Sequence, residues 1–289
     1  MEGWDPMFRD LSGFPDEKRR LMAIDFKSFD NSIPGSMIRA TFEIYAQLLE
    51  AAGVPKGGPD KVRLLGISVS NPWIVARGDM YHFTGSNPSG QSCTTATNSL
   101  VNMMWMIIAW VSVGYPMCDF FDVVRIHTYG DDNVMSVPAT HPKYNQVSIR
   151  DALAHYGVRI TMAGDKNASV VEYTLPTDLE YLGRKFVYDD ELATYLAPLR
   201  FSSIGKMLTV FKTARKSATQ VEVRLQCLQS AILELTFHGR KVFERLTPIL
   251  YATFMAEGTV LPESYPCPTF DELVERHITG VLASRSLVA

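Results

Sequence analysis

Two apolar rhythms alternate along the chain, one with the period of a strand and one with that of a helix. Leu21-Met22-Ala23-Ile24 is a short unbroken apolar run that stops at Asp25, as a buried strand does at its end. Asn31-Ser32-Ile33-Pro34 then supplies helix-start chemistry. Ile38, Phe42, Tyr45, Leu48 and Leu49 follow on one face of a helix predicted from about Gly35 to Ala52. Residues 53–86 break the rhythm. Lys56-Gly57-Gly58-Pro59-Asp60 signals a loop, and Val62–Val75 and Met80–Thr84 lean toward β, which predicts an insertion of short antiparallel strands or loops. The small-residue loop Gly85–Gly90 leads into a long helix over about Ser92–Val113. Thr94, Thr95, Thr97, Asn98 and Asn102 polarise its first half, while Met103, Ile107 and Trp110 suit burial. Two β-rich arms, Phe120–Thr128 and Asn133–Val137, flank the turn Tyr129-Gly130-Asp131-Asp132. A helix is expected over Tyr144–Tyr156, a strand over Gly157–Met162, and a strand pair around Leu179–Tyr188 and Leu192–Leu196. From about Ser202 the period becomes helical, with Val221, Leu225, Leu228, Ile232 and Leu235 on one core-facing stripe. Thr247-Pro248 opens a final helix-and-loop tail, and the first twenty residues read as a turn-rich lead-in.

This order predicts an α+β fold built on an antiparallel sheet, not a βαβ array. No G-x-G-x-x-G and no Walker loop is present, so those nucleotide-binding classes find no support. Composition adds three points. At 289 residues and 46% hydrophobic the chain is ordinary globular material. Its net charge of −3 argues against a polyanion partner, but the distribution does not: Arg200–Arg245 holds nine basic residues against three acidic ones. The most apolar stretch, Val101–Val111, falls short of the ~20 residues of a membrane span and reads as a buried helix. Cys93, Cys118, Cys227 and Cys267 form no C-x-x-C pair, which suggests neither a zinc site nor a disulfide framework and fits a reducing, intracellular setting.

The chemistry lies in the carboxylates. Asp25 ends a strand; Asp131 and Asp132 tip a hairpin. With the two strands in one sheet, three carboxylates meet at one edge, where like charges disfavour shared ionisation unless cations neutralise them. Oxygen-only ligands select Mg²⁺ or Mn²⁺, and two such ions can clamp both oxygens of an in-line phosphoryl displacement. Gly-Asp is also ordinary hairpin-turn chemistry, so the tetrapeptide alone leaves both readings open.

The spacing then becomes specific. Asp25-x4-Asp30, Pro88-Ser89-Gly90-x3-Thr94-x3-Asn98 and Tyr129-Gly130-Asp131-Asp132 resemble, in order, motifs A, B and C of viral RNA-dependent RNA polymerases. Thr161-Met162-Ala163-Gly164-Asp165-Lys166 resembles the end of motif D, and Tyr181-Leu182-Gly183-Arg184-Lys185-Phe186 resembles motif E. The set is similar to that of picorna-like viruses, and Leu233–Gly239 is similar to the thumb of the insect-infecting ones. The resemblance covers roughly residues 4–245. It implies a right-hand polymerase palm with an antiparallel sheet flanked by helices, and a helical thumb. The division would be a lead-in at 1–24, a palm at 25–200 with a fingers-type insertion at 53–86, and a thumb at 201–289.

By resemblance, Asp25, Asp131 and Asp132 would hold two Mg²⁺ ions (or Mn²⁺). Asp30 would sense the ribose 2′-hydroxyl together with Ser89, Thr94 and Asn98, on a loop whose Gly90 permits flexing. Lys166 would protonate the leaving pyrophosphate, and Arg184 and Lys185 would grip primer phosphates. The implied partners are RNA template and primer, nucleoside triphosphates, a genome-linked protein primer and other viral replication proteins. The implied location is the host cytoplasm, in membrane-associated replication complexes. Plainer readings stand beside these: Asp30 as a helix-terminal carboxylate, Thr94 and Asn98 as ordinary helix polar positions, Lys166 as a solvated loop lysine, the basic thumb as a solvated face. The family carries a long fingers region before motif A, whereas only 24 residues precede Asp25 here. The expectation is a piece of a longer product that polymerises poorly alone. The rivals are a reverse transcriptase palm and a non-catalytic RNA-binding fragment. Reverse transcriptases share the Tyr-x-Asp-Asp turn but usually carry an aromatic gate where Asp30 and Asn98 stand.

Overall fold

The computed structural model describes residues 3–13, 18–164, 167–210, 220–256 and 267–277. In chain order the elements are α1 (Trp4–Ser12), β1 (Arg19–Phe26), α2 (Phe29–Ser32), α3 (Gly35–Ala51), α4 (Gly57–Val69), β2 (Trp73–Ala76), β3 (Asp79–His82) and α5 (Thr94–Ser112). There follow α6 (Phe120–Val123), β4 (Arg125–Tyr129), β5 (Asp132–Pro138), α7 (Gln146–Ala154), β6 (Ile160–Met162), β7 (Glu180–Tyr181), β8 (Arg184–Lys185), β9 (Val187–Asp189), β10 (Thr194–Leu196), α8 (Phe201–Thr209), α9 (Gln220–Thr236), α10 (Arg240–Ala256) and α11 (Phe270–His277). The chain forms two compact units, one of residues 11–175 and 179–182, the other of 1–10, 176–178 and 183–289.

The first unit is organised by a four-stranded antiparallel sheet of order β4-β5-β1-β6. Successive side chains of a strand point to opposite faces, and here the faces differ in character. Met22, Ile24 and Phe26 of β1 and Met135 and Val137 of β5 join Phe42, Trp105 and Trp110 of the helices in one core. Asp25 and Asp132 fall on the alternate positions, away from that core. The sheet is closed at its weak point by a side chain. β6 pairs only with Ile24, Asp25 and Phe26, and the Ala23 amide donates to Gln146 Oε1 at 2.9 Å. Gln146 opens α7, whose start is fixed by a capping box: Asn145 Oδ1 accepts from the Ser148 amide at 2.9 Å, and Ser148 Oγ from the Asn145 amide at 3.0 Å.

Two expectations fail in this unit for tertiary reasons. Val62–Val69 is helical, within α4, not β. Pro59 and Asp60 in its first turn suit a helix start, and Gly66 lets α4 lie directly on α3: a Cβ there would stand 2.5 Å from Phe42 Cβ. Arg63 also ties α4 to Glu43 and Glu50 of α3, at 2.8 Å each. Residues 73–76 and 79–82 do form the expected short antiparallel pair. Phe120–Val123 is the turn of helix α6, not the start of a hairpin arm. Phe120 is fully buried against Trp110 and Tyr144, and Arg19 reaches across to the Val123 carbonyl.

In the second unit, Ile204, Leu225, Leu228, Ile232 and Leu235 pack with Phe243, Phe254 and Phe270 as a helical core. The stripe on α9 packs as its spacing predicts, although Val221 is exposed. α10 runs through Pro248, so the expected break at Thr247-Pro248 is absent. The opening residues form α1, whose Phe8 lies 4.9 Å from the Phe186 ring and 4.5 Å from that of Tyr195. No helix among the described residues is long and apolar enough to cross a membrane.

Candidate active site

Asp25 is the next-to-last residue of β1, buried, and paired with Thr161 of β6. The β1–β5 pairing runs to Ile24 opposite Asn133, so Asp25 and Asp132 are the next residues along the two strands. Tyr129 pairs with Asp132, which leaves Gly130-Asp131 as a two-residue hairpin turn. Gly130 has φ +64°, which a primed turn requires at its first central position. The sheet thus brings Asp25 and Asp132 to one end, on the face away from the helix core, with Asp131 exposed in the turn beside them.

The turn is gripped from the other side. Asn102 of α5 is fully buried, and its Nδ2 donates to the carbonyls of Gly130 at 3.2 Å, Asp131 at 2.9 Å and Asp132 at 3.4 Å. Its Oδ1 accepts from Asn133 Nδ2 at 2.8 Å, and Ser99 Oγ accepts from the Gly130 amide at 2.8 Å. The strand's alternation explains the division of labour: Asp132 faces out and Asn133 faces the helix. Asn102 was visible in the sequence only as one polar position among several on α5. Its partners are main-chain groups, which leave no mark in a sequence.

Asp30 lies in the single turn of α2, reached through Ser28 in the left-handed region (φ +56°). Both its carboxylate oxygens are engaged: Ser89 Oγ donates to Oδ2 at 2.9 Å and Asn98 Nδ2 to Oδ1 at 2.5 Å. Asn98 in turn accepts from Asn87 Nδ2 at 2.7 Å, and Gln91 donates to Asn87 Oδ1. Three main-chain bonds stitch the loop to the start of α3 and its surroundings: Gly85 N to Ser70 O (2.9 Å), Ser86 N to Ile33 O (2.8 Å) and Asn87 N to Asp30 O (2.9 Å). The structure therefore brings Asp30, Ser89 and Asn98 together. Thr94 does not reach Asp30; its hydroxyl donates within the loop, to Pro88 O at 3.0 Å and Gln91 O at 2.8 Å. Gly90 is exposed with open space around its Cα.

Arg184 is engaged within its own unit. It forms a two-pronged pair with Glu234 of α9, 2.7 Å on each side, and donates to Ala197 O at 2.9 Å. A guanidinium committed to a carboxylate in this way is an internal strut. Lys185, its neighbour, is exposed. Lys166 lies outside the described residues. Near Asp132, burial first, and then the charges of Asp132 and Tyr129, push the Tyr181 phenol up to about 12.

Three carboxylate side chains are hard oxygen donors and fit a divalent cation in chemistry and in backbone position. Among the described residues, however, no group of three or more His, Cys, Asp or Glu side chains stands together as a ready-made cage. Asp131 sits in the turn, off the pleat that carries Asp25 and Asp132, so the expected meeting of three at one edge is a sharing of the sheet end and not a closed cluster.

In fold this chain is similar to a viral polymerase. A solved Sicinivirus 3Dpol RNA dependent RNA polymerase superposes on 96% of it with a TM-score of 0.73, at 19% identity, over 54% of that chain. In sequence it is 30% identical over 219 residues to the RNA1 polyprotein of Cherry rasp leaf virus, covering 72% of this chain and 9% of the polyprotein. It is 26% identical to that of Satsuma dwarf virus (86% and 12%) and 25% identical to the replicase polyprotein of Drosophila C virus (87% and 15%). The family described as "Viral RNA-dependent RNA polymerase" matches residues 1–253, and the chain belongs to it. The picorna-like placement read from the motifs stands. The chain spans less than a sixth of those polyproteins and about half of the solved polymerase.

Proposed function

We propose that this chain supplies the palm and thumb of an RNA polymerase that copies RNA, adding nucleoside monophosphates to an RNA 3′-hydroxyl and releasing pyrophosphate. The observation that carries this reading is the Asp30–Ser89–Asn98 network beside the Gly130-Asp131 turn. On this reading the carboxylate, held by one exposed hydroxyl and one buried amide, would accept from a sugar hydroxyl. A deoxyribose would leave these polar groups unmatched, which discriminates strongly.

Asp25, Asp131 and Asp132 would hold Mg²⁺ or Mn²⁺. When bound there, the ions supply Lewis-acid activation of the 3′-hydroxyl and charge balance for the leaving pyrophosphate. Asp30, Ser89 and Asn98 orient the ribose, Lys166 is proposed as the proton donor to pyrophosphate, and Lys185 is an exposed cation for primer phosphates. The reaction is proposed for the whole polymerase that contains this chain. This chain alone is expected to extend a primer poorly.

The test is primer extension by the whole polymerase with NTPs and with dNTPs. Preference for NTPs and loss of extension in Asp131→Ala are expected. Preference for dNTPs would make it a reverse transcriptase, and full activity of Asp131→Ala would remove the catalytic assignment.

A further inference from the structure

We propose that Asn102 and Ser99 are positioning residues for the reaction: they set the location of Asp131 and Asp132 by fixing the main chain of the turn. The inference rests on the reading of those aspartates given under the proposed function. Gly130 and Asp131 have no ladder partner of their own, so main-chain pairing alone does not define where the turn sits. Four contacts oppose that freedom. One side-chain amide spans three consecutive carbonyls, and one hydroxyl takes the Gly130 amide. Asn102 is itself locked, because Asn133 donates to its Oδ1. Asparagine offers there both a buried donor for those carbonyls and an acceptor for Asn133. Leucine would leave the groups unpaired, and aspartate would set a charge against three carbonyl oxygens.

The same helix carries Asn98 one turn earlier, on Asp30. α5 thus bears two amides with separate duties, one reading the sugar and one holding the turn. Substitutions at the two should separate cleanly. Residues that orient metal-bearing groups without touching the metal typically change metal affinity or rate by 10–100-fold when replaced.

The test uses the whole polymerase with Asn102→Ala, Asn102→Asp and Ser99→Ala, with Asn98→Ala and Asp131→Ala as comparators. Extension is titrated against Mg²⁺ and against NTP. Mn²⁺ binding is followed by electron paramagnetic resonance, and amide exchange over residues 129–133 by mass spectrometry. For Asn102→Ala we expect about a tenfold higher Mg²⁺ requirement and a similar fall in kcat, weaker Mn²⁺ binding and faster exchange of the turn. KM for NTP and the preference for ribonucleotides should be unchanged. Asn102→Asp should behave alike, and Ser99→Ala should move the same quantities by a smaller factor. Ser99→Ala carries the test if Asn102→Ala does not fold. A wild-type Mg²⁺ requirement and kcat, or a change confined to KM or to sugar preference, would overturn the positioning role. If Asp131→Ala stays active, the underlying assignment of the aspartates fails instead.

Discussion

Replacing Arg184 by methionine leaves Glu234 without its cation. In the native unit two guanidinium nitrogens meet the two carboxylate oxygens at 2.7 Å each, with the side chains only 16% and 14% exposed. The guanidinium also lies 5.5 Å from the Trp4 ring centre and 5.6 Å from that of Phe237. Removing one partner of a buried pair costs about 3–5 kcal/mol, because the other charge stays desolvated. Some water reaches both side chains here, which points to the lower end, ~3 kcal/mol. Methionine keeps the packing of the aliphatic stem, so little of this comes from a cavity. For a unit of this size ~3 kcal/mol lowers the melting temperature by about 10 °C. The assay is differential scanning calorimetry, paired with fluorescence anisotropy of a labelled RNA oligonucleotide. Lys185→Met, at an exposed neighbour, should leave the melt within ~0.5 kcal/mol and weaken RNA binding. Arg184→Met with Glu234→Met should recover most of the loss, since no unpaired charge remains. A wild-type melt of Arg184→Met together with weakened RNA binding would refute the strut and return this arginine to the nucleic acid.

Asn98→Ala frees Asp30 Oδ1 and should lower discrimination against deoxyribonucleotides by about 10- to 100-fold, read as the ratio of kcat/KM for NTP and dNTP; an unchanged ratio would separate this network from sugar reading. Gly85→Ala forces a side chain onto φ +87° and sets its Cβ 2.6 Å from Ile33 O, so urea melts should show a loss of at least ~2 kcal/mol. Gly90→Ala, with open space and no positive φ, should be neutral in the same melts. Burial holds the His238 imidazole below its usual 6.5, with Arg184 adding to this, while the bond to Leu199 O and the charge of Glu234 oppose it. The unfolded chain takes up its proton first as pH falls. Stability is therefore full above pH 6.5 and declines below it, toward the lower folded value. His238→Gln should flatten that part of the stability–pH curve, and an unaltered slope would assign it to other groups.

The strand that carries Asp25, the helices α3 and α5 and the Gly130-Asp131 turn were legible because each rests on local chemistry: an apolar run, a stripe, a glycine. What escaped was decided across the chain. The β-leaning residues of α4 are helical because Gly66 fits against Phe42. α1 reads as a turn-rich lead-in until its Phe8 meets Phe186 and Tyr195, nearly two hundred residues on. At the site, Asp30, Ser89 and Asn98 were legible as a spacing and are observed as hydrogen bonds. Thr94 belongs to the same spacing, but its hydroxyl is used up inside the loop. The pairing of Arg184 with Glu234 was not legible, because nothing near it in sequence announces a partner fifty positions later.

The separation of Asn98 and Asn102 by four positions makes this segment sensitive to length in a way that substitution does not reveal. One residue inserted between them would rotate the second amide by about 100° and move it 1.5 Å along the axis. Asn98 would still meet Asp30, but the amide at the turn would point into the core or out to solvent. A scan of single-codon insertions should therefore find a dead interval over residues 98–102. It should find tolerance at exposed Gly53–Lys56, between α3 and α4, where a longer connection changes no register.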